Sequence, residues 1–148
     1  MASLWSEPDR RALLDRLARI RPDTPPRWGR FDGPAMLAHV NDALRMMLGD
    51  LTPKPKRLPI RHFPLKQLLI YVLPFPKGVP TAPELLVRTR GAVWADEVKV
   101  FRDLISRLAL SSAAKAWPDH PAFGPMTRRA WGVLAYRHVS HHFTQFGG

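Results

Sequence analysis

In the C-terminal helical pattern His138 and His142 stand four residues apart, with Gln145 three residues beyond. Residues at i and i+4 lie one turn apart on a single helix face, so two imidazoles at this spacing can reach one ion. With Trp131 as zero and about 100° per residue, Leu134, Ala135, His138 and His142 fall within about 60° of one line. The pair therefore continues the apolar stripe expected to face the core. His141 falls about 80° from that line, at the flank. A buried imidazole needs partners for its ring nitrogens. A shared metal ion meets that need, and so does a hydrogen-bonded core. The spacing alone leaves both open.

A third ligand has to come from another element. His62 lies in a Pro/Arg-rich stretch and His120 in the turn-rich run Trp117-Pro118-Asp119-His120-Pro121. His39 sits in a helical pattern from Pro34 to Leu48 that is apolar nearly all round, apart from a polar wedge of Asn41, Asp42 and Arg45. A helix so broadly apolar belongs between other helices. The wedge is expected to face water or a helix end. His39, His138 and His142 thus form a candidate three-histidine metal site, and zinc or nickel suits imidazole ligands. Gln145 is expected to bond a neighbouring helix rather than a ligand. Trp28 and Trp131 read as core residues, Tyr136 as a packing residue, and His141 as an exposed or supporting one.

Four long helices are needed to carry these residues. The first is expected from about Pro8 to Ile20, with Ser6 as N-cap and Leu13, Leu14, Leu17 and Ile20 as its stripe. Asp32 caps the His39 helix, Pro34 is tolerated in its first turn, and Gly49 closes it. The third spans about Ala92 to Ala109, with Trp94, Val98, Phe101, Ile105 and Leu108 along one side. Thr127 caps the last. The second and third are joined by a long excursion, residues 51–90, holding eight Lys/Arg, one acid (Glu84) and eight of the sixteen prolines. Its apolar segment from Leu65 to Leu73 is expected to be a short helix, and the rest a solvated surface loop. The pattern describes an all-α bundle with a basic, proline-rich crossover and no internal repeat.

At 148 residues and 45% hydrophobic content the chain reads as one folded domain, 1–148. It has no cysteine, so disulfides and Cys-based zinc sites are excluded. The N-terminus carries acids and no apolar core, so no signal peptide is expected. The apolar run from Leu68 to Phe75 is too short to span a bilayer, and the expected setting is cytoplasmic with no membrane partner. The net charge of +11 invites a nucleic-acid reading. The basic window lacks basic–aromatic alternation and any helix-turn-helix or RNA-binding signature, so no specific nucleic acid is expected.

Several of these segments are similar to a known family. They are Arg27-Trp28-Gly29, Met36-Leu37-Ala38-His39, Pro80-Thr81-Ala82-Pro83-Glu84 and His120-Pro121-Ala122-Phe123-Gly124-Pro125. Trp131-Gly132 followed by Tyr136-Arg137-His138-Val139-Ser140-His141-His142-Phe143-Thr144-Gln145-Phe146-Gly147 completes the set. Together they resemble a bacterial branch, without assigned function, of the DinB-like superfamily of metal-binding four-helix bundles. The resemblance implies a divalent metal on His39, His138 and His142 with open positions for water or substrate. Characterised members include thiol-dependent transferases and a maleylpyruvate isomerase, and many are dimers, which adds a homodimer to the expectations. A metal-dependent transferase that activates an external low-molecular-weight thiol for attack on a small-molecule substrate is the first functional expectation. A basic binding module with structural histidines, and a metal-assisted hydrolase, are its rivals. Fold and site architecture do not by themselves fix a substrate.

Overall fold

Residues 1–111 and 116–148 are described by a computed structural model of the chain, and among them every regular element is helical. Helix α1 runs Glu7–Arg19, starting where the Ser6 hydroxyl accepts the Asp9 amide at 3.4 Å. In α2, Gly33–Leu48, the Asp32 carboxylate accepts the Ala35 amide at 2.8 Å, and Gly49 ends the helix at φ +82°. A residue in that left-handed conformation satisfies the last carbonyls, and glycine adopts it without strain. The last long helix, Arg128–Gln145, starts from the Thr127 hydroxyl, which accepts the Ala130 amide at 3.1 Å. The remaining long helix is Trp94–Leu110. Each boundary lies within a few residues of the sequence expectation.

The excursion is more structured than a solvated loop. Its segment α3, Leu65–Gln67, runs into a wide turn, Leu68–Val72, closed by the Leu73 amide on the Leu68 carbonyl at 2.8 Å. That is the expected short helix. Arg137 holds its end, donating to the carbonyls of Leu69 at 2.9 Å, Ile70 at 2.5 Å, and Leu73. A cation here meets carbonyls that a helix end leaves without partners. A further short helix, α4, spans Pro83–Arg88 and was not expected. The signal existed: Pro83 in the first turn beside Glu84 is helix-start chemistry. Helices α5 (Trp94–Leu110) and α6 (Arg128–Gln145) follow.

One apolar cluster joins the four long helices, with Leu13 and Leu17 from α1, Leu37 and Leu44 from α2, Phe101 and Leu108 from α5, and Val139 and Phe143 from α6 among its members. Helix α2 packs against both α5 and α6, and α1 against α5 and α6. That arrangement sets His39 of α2 opposite the histidines of α6. No described helix is long and apolar enough to cross a membrane.

The polar wedge of α2 does not face water. Asn41 and Asp42 are buried, at 0% and 2% exposure. Asn41 donates to the Glu97 carboxylate at 2.8 Å and the Glu97 carbonyl at 3.0 Å. Asp42 accepts from Arg45 at 2.8 Å and, through both oxygens, from Arg88 at 2.7 and 3.1 Å. A helical wheel shows the wedge but not that α4 and α5 cover it. The buried carboxylate is tolerable because two guanidinium groups offset its lost hydration. Asp42→Ala should release α4 and cost about 1–3 kcal/mol, since both arginines stay partly solvated once unpaired. Urea unfolding of the variant checks this, together with faster proteolytic cleavage near α4. Unchanged stability would mean that the pair contributes nothing net.

Candidate metal centre

His39 leaves the middle of α2, and His138 and His142 leave α6 one turn apart. One ring nitrogen from each lies within 4.8 Å of the others. The Nε2 atoms of His39 and His138 are 3.1 Å apart. The rings meet at interplanar angles of 66°, 75° and 81°, with centroids 4.7–5.0 Å apart. Near-perpendicular rings bring nitrogen edges together rather than stacking faces. Phe31 lies 5.2 Å from His39 and Phe75 6.4 Å from His138, ring centre to ring centre, so apolar surface flanks the cluster.

Gln145 sets the tautomer of His142. Its Oε1 lies 2.8 Å from His142 Nδ1, and an amide oxygen only accepts. His142 therefore carries its proton on Nδ1 and leaves Nε2 with a bare lone pair, an assignment made from the hydrogen-bond network. The amide itself is oriented from behind: Gln145 Nε2 donates to the Trp28 carbonyl at 2.5 Å, and the Arg27 amide donates to the Gln145 carbonyl at 2.8 Å. Gly29 makes this approach feasible. It sits at φ +80°, and a Cβ there would lie 2.7 Å from Gln145 Nε2. The expectation that Gln145 bonds a neighbouring helix is thus corrected: it links His142 to the 27–29 loop. Its i, i+3 spacing from His142 was the available sequence signal.

The Nδ1 atoms of His39 and His138 are buried and have no hydrogen-bond partner among the described residues. A direct bond between the two Nε2 atoms would satisfy one nitrogen on each ring and leave His142 Nε2 unused. A shared ion would take all three Nε2 lone pairs. Two nitrogens at about 2.05 Å from an ion stand about 2.9 Å apart at a right angle and about 3.3 Å apart at the tetrahedral angle. The observed 3.1 Å lies between those limits. The His39–His138 pair has the spacing of two ligands on one divalent ion, and a nitrogen of His142 lies within 4.8 Å of both.

The other histidines stay outside this cluster. His120 is tied into its own turn, its Nδ1 accepting the amides of Ala122 at 3.0 Å and Phe123 at 3.2 Å. His62 is exposed. His141 is half-buried between Trp28 and Phe75, its ring centre 5.3 Å from that of His142. Trp131 is a core residue as expected, whereas Trp28 is only half-buried, at the rim of the cleft that also holds Tyr136.

Burial sets the protonation of the cluster. It pushes His39 down to about 4, against a small opposing pull from Asp42. It pushes His142 down to about 3, with further lowering by His39 and opposition from the Gln145 bond. His138 falls well below its ordinary value, through burial first and the neighbouring histidines second. His120, buried beside Lys66, is also down to about 4. All of these rings are neutral at pH 7, the state in which imidazole can bind a metal.

A lowered folded-state value means that the unfolded chain binds protons first. The stability these groups contribute is complete above their unfolded value of about 6.5 and drains away as pH falls toward 4 and below. Urea midpoints of chelator-treated protein should therefore hold from pH 7.5 to about 6.5 and fall steadily from there to 4.5. A flat profile across that interval would contradict the assigned protonation. No protein-family model, curated protein or solved structure matches this chain, so the reading of the centre rests on its own geometry.

Proposed function

We propose that the chain is a DinB-like four-helix bundle, its second and third long helices joined by the basic proline-rich crossover, that binds one divalent ion through His39, His138 and His142. The observation that carries this reading is the convergence of three neutral imidazoles, one of them with its lone pair aimed by Gln145. Three protein ligands leave coordination places open, the pattern of catalytic rather than structural sites. Zinc and nickel both suit the donors.

The activity proposed is transfer of an external low-molecular-weight thiol to a small electrophilic substrate. A bound divalent ion supplies the acidity that ionises a thiol at neutral pH. The chain's own part is geometric. Gln145 fixes the His142 ring, Phe31 and Phe75 keep apolar surface against the ligands, and Asn41 and Asp42 lock α2 in register with α4 and α5. Without any cysteine in the protein, the thiol is a co-substrate.

A second reading, structural histidines in a non-enzymatic module, draws on one observation: 3.1 Å is also a hydrogen-bond distance between His39 and His138. It gives no role to the His142 nitrogen that Gln145 leaves bare. Metal content separates the two. Untagged protein, purified without a nickel column, should carry close to one ion per chain. His142→Ala should fall well below that, and His141→Ala should not. Equal loss in both would place the site on another face of α6, and full retention in both would remove it.

Gly29→Ala tests the support of the ligand rather than the ligand itself. Its methyl displaces the Gln145 amide, so metal affinity should fall by about 10–100-fold, the usual effect of disturbing a group that orients a ligand. Gln145→Leu should reproduce the loss. Competition with a chromogenic chelator measures both, and unaltered affinity in the two variants would sink the orienting role.

A further inference from the structure

Beside the histidine cluster, α6 forms one wall of an open cleft of about 630 Å³, and the chain on either side of Trp28 and Phe75 forms the other. Its charge is one-sided. Arg27, Lys77 and Arg137 line it and no carboxylate does. Arg137 is committed to the carbonyls at the end of the wide turn. Arg27 and Lys77 form no ion pair among the described residues.

A further cation stands behind the wall. Arg16 of α1 donates to the Ser140 hydroxyl at 2.6 Å and the Thr144 hydroxyl at 2.9 Å, and both residues line the cleft. Arg16 pairs with no Asp or Glu among the described residues; it also donates to the Ser140 carbonyl at 3.0 Å and to the oxygen of the last residue, Gly148, at 3.2 Å, and bonds the Tyr136 side chain. A hydroxyl that accepts from a guanidinium keeps its own hydrogen to donate elsewhere. Neither hydroxyl donates to a protein acceptor among the described residues, so each keeps a hydrogen to give to a ligand, with the Arg16 guanidinium behind it. Donors of this kind, backed by charge, suit an anion.

The rest of the cleft is aromatic, and the Phe75 ring carries the Arg137 guanidinium over one face, 4.9 Å from its centre. The Trp28 ring carries Lys77 over its face, Nζ 4.5 Å from the centre. The His141 ring lies 5.2 Å from Trp28 and 5.9 Å from Phe75, centre to centre.

We propose that this cleft binds a small organic anion with a planar apolar body. Ser140, Thr144 and Lys77 hold the acidic group, and Trp28 and Phe75 receive the body. The anion chemistry stands without any ion in the histidine cluster; the role of the cleft as the substrate site of the transferase rests on that reading.

Equilibrium dialysis with 1-naphthoate and its neutral analogue 1-naphthamide tests the proposal, on chelator-treated and on metal-loaded protein. The acid should bind at least about tenfold more tightly than the amide, as expected for hydrogen bonds to a charged group. Lys77→Met should cost the acid about two- to fivefold, the scale of an exposed charge pair. Ser140→Ala combined with Thr144→Val should abolish most of the preference while naphthamide binding is unchanged. Equal binding of acid and amide, an intact preference in both variants, or no binding of either probe at millimolar concentration would overturn it. Acid binding seen only with metal, and lost in His138→Ala, would mean that the acid ligates the ion and does not use the cleft. Protein that takes up no metal but keeps the acid preference would defeat the metal reading and leave the cleft standing.

Discussion

Three imidazoles withdrawn from water at one helix contact impose the strictest condition on this chain. Each ring nitrogen removed from solvent needs a partner or costs free energy, on the order of 1–3 kcal/mol for an unmet group. His142 meets the condition on one side through Gln145, and that single bond reaches far. Gln145 is held by the Trp28 carbonyl, and the approach needs a residue without a Cβ at Gly29. The conformation of the 27–29 loop, the path into α2 and the last turn of α6 are thereby coupled to the direction of one imidazole. A ring that only filled space would not need a hydrogen-bonded relay to orient it.

Charge is organised by the same economy of partners. Of the few acids, Asp42 goes to the interior, where it joins α2 to α4 through Arg88 and steadies Arg45. Arg137 takes carbonyls instead of a carboxylate and so pins the excursion to α6 without being neutralised. Arg16 ties α1 to α6 through the Ser140 and Thr144 hydroxyls and the Ser140 carbonyl. In a chain of net charge +11, cations bonded to neutral oxygens keep their fields. Arg27, Lys77 and Arg137 stand together at the cleft beside α6 with no carboxylate in its lining, a local excess of positive charge made without a continuous basic helix.

What could be read from the sequence divides along the range of the interactions. Ser6, Asp32, Gly49 and Thr127 mark helix ends correctly because capping involves only residues three or four positions away. The spacing of His138 and His142 is local in the same sense. His39 could be nominated only because its helix is apolar nearly all round. The misses are tertiary. Asp42 finds Arg88 across 46 positions and Gln145 finds Trp28 across 117, and no periodicity reports such pairings. Phe31 and Phe75, which flank the histidines, lie in irregular segments where no pattern fixes their direction.

Helix α6 shows why one wheel was not enough. Its first half, Ala130–Ala135, is buried all round. Its second half divides: Val139 and Phe143 enter the core, His138 and His142 meet α2, and Ser140 and Thr144 face the cleft. With about 100° per residue, these three i, i+4 pairs spread around the full circumference, so the helix has no single polar side. His141 falls between the cleft pair and the histidine pair, its ring centre 5.2 Å from Trp28 and 5.3 Å from His142. The His141 side chain therefore lies between the cleft and the histidine cluster. Under the proposed transferase reading, a molecule held in the cleft would lie across the His141 ring from the histidine cluster.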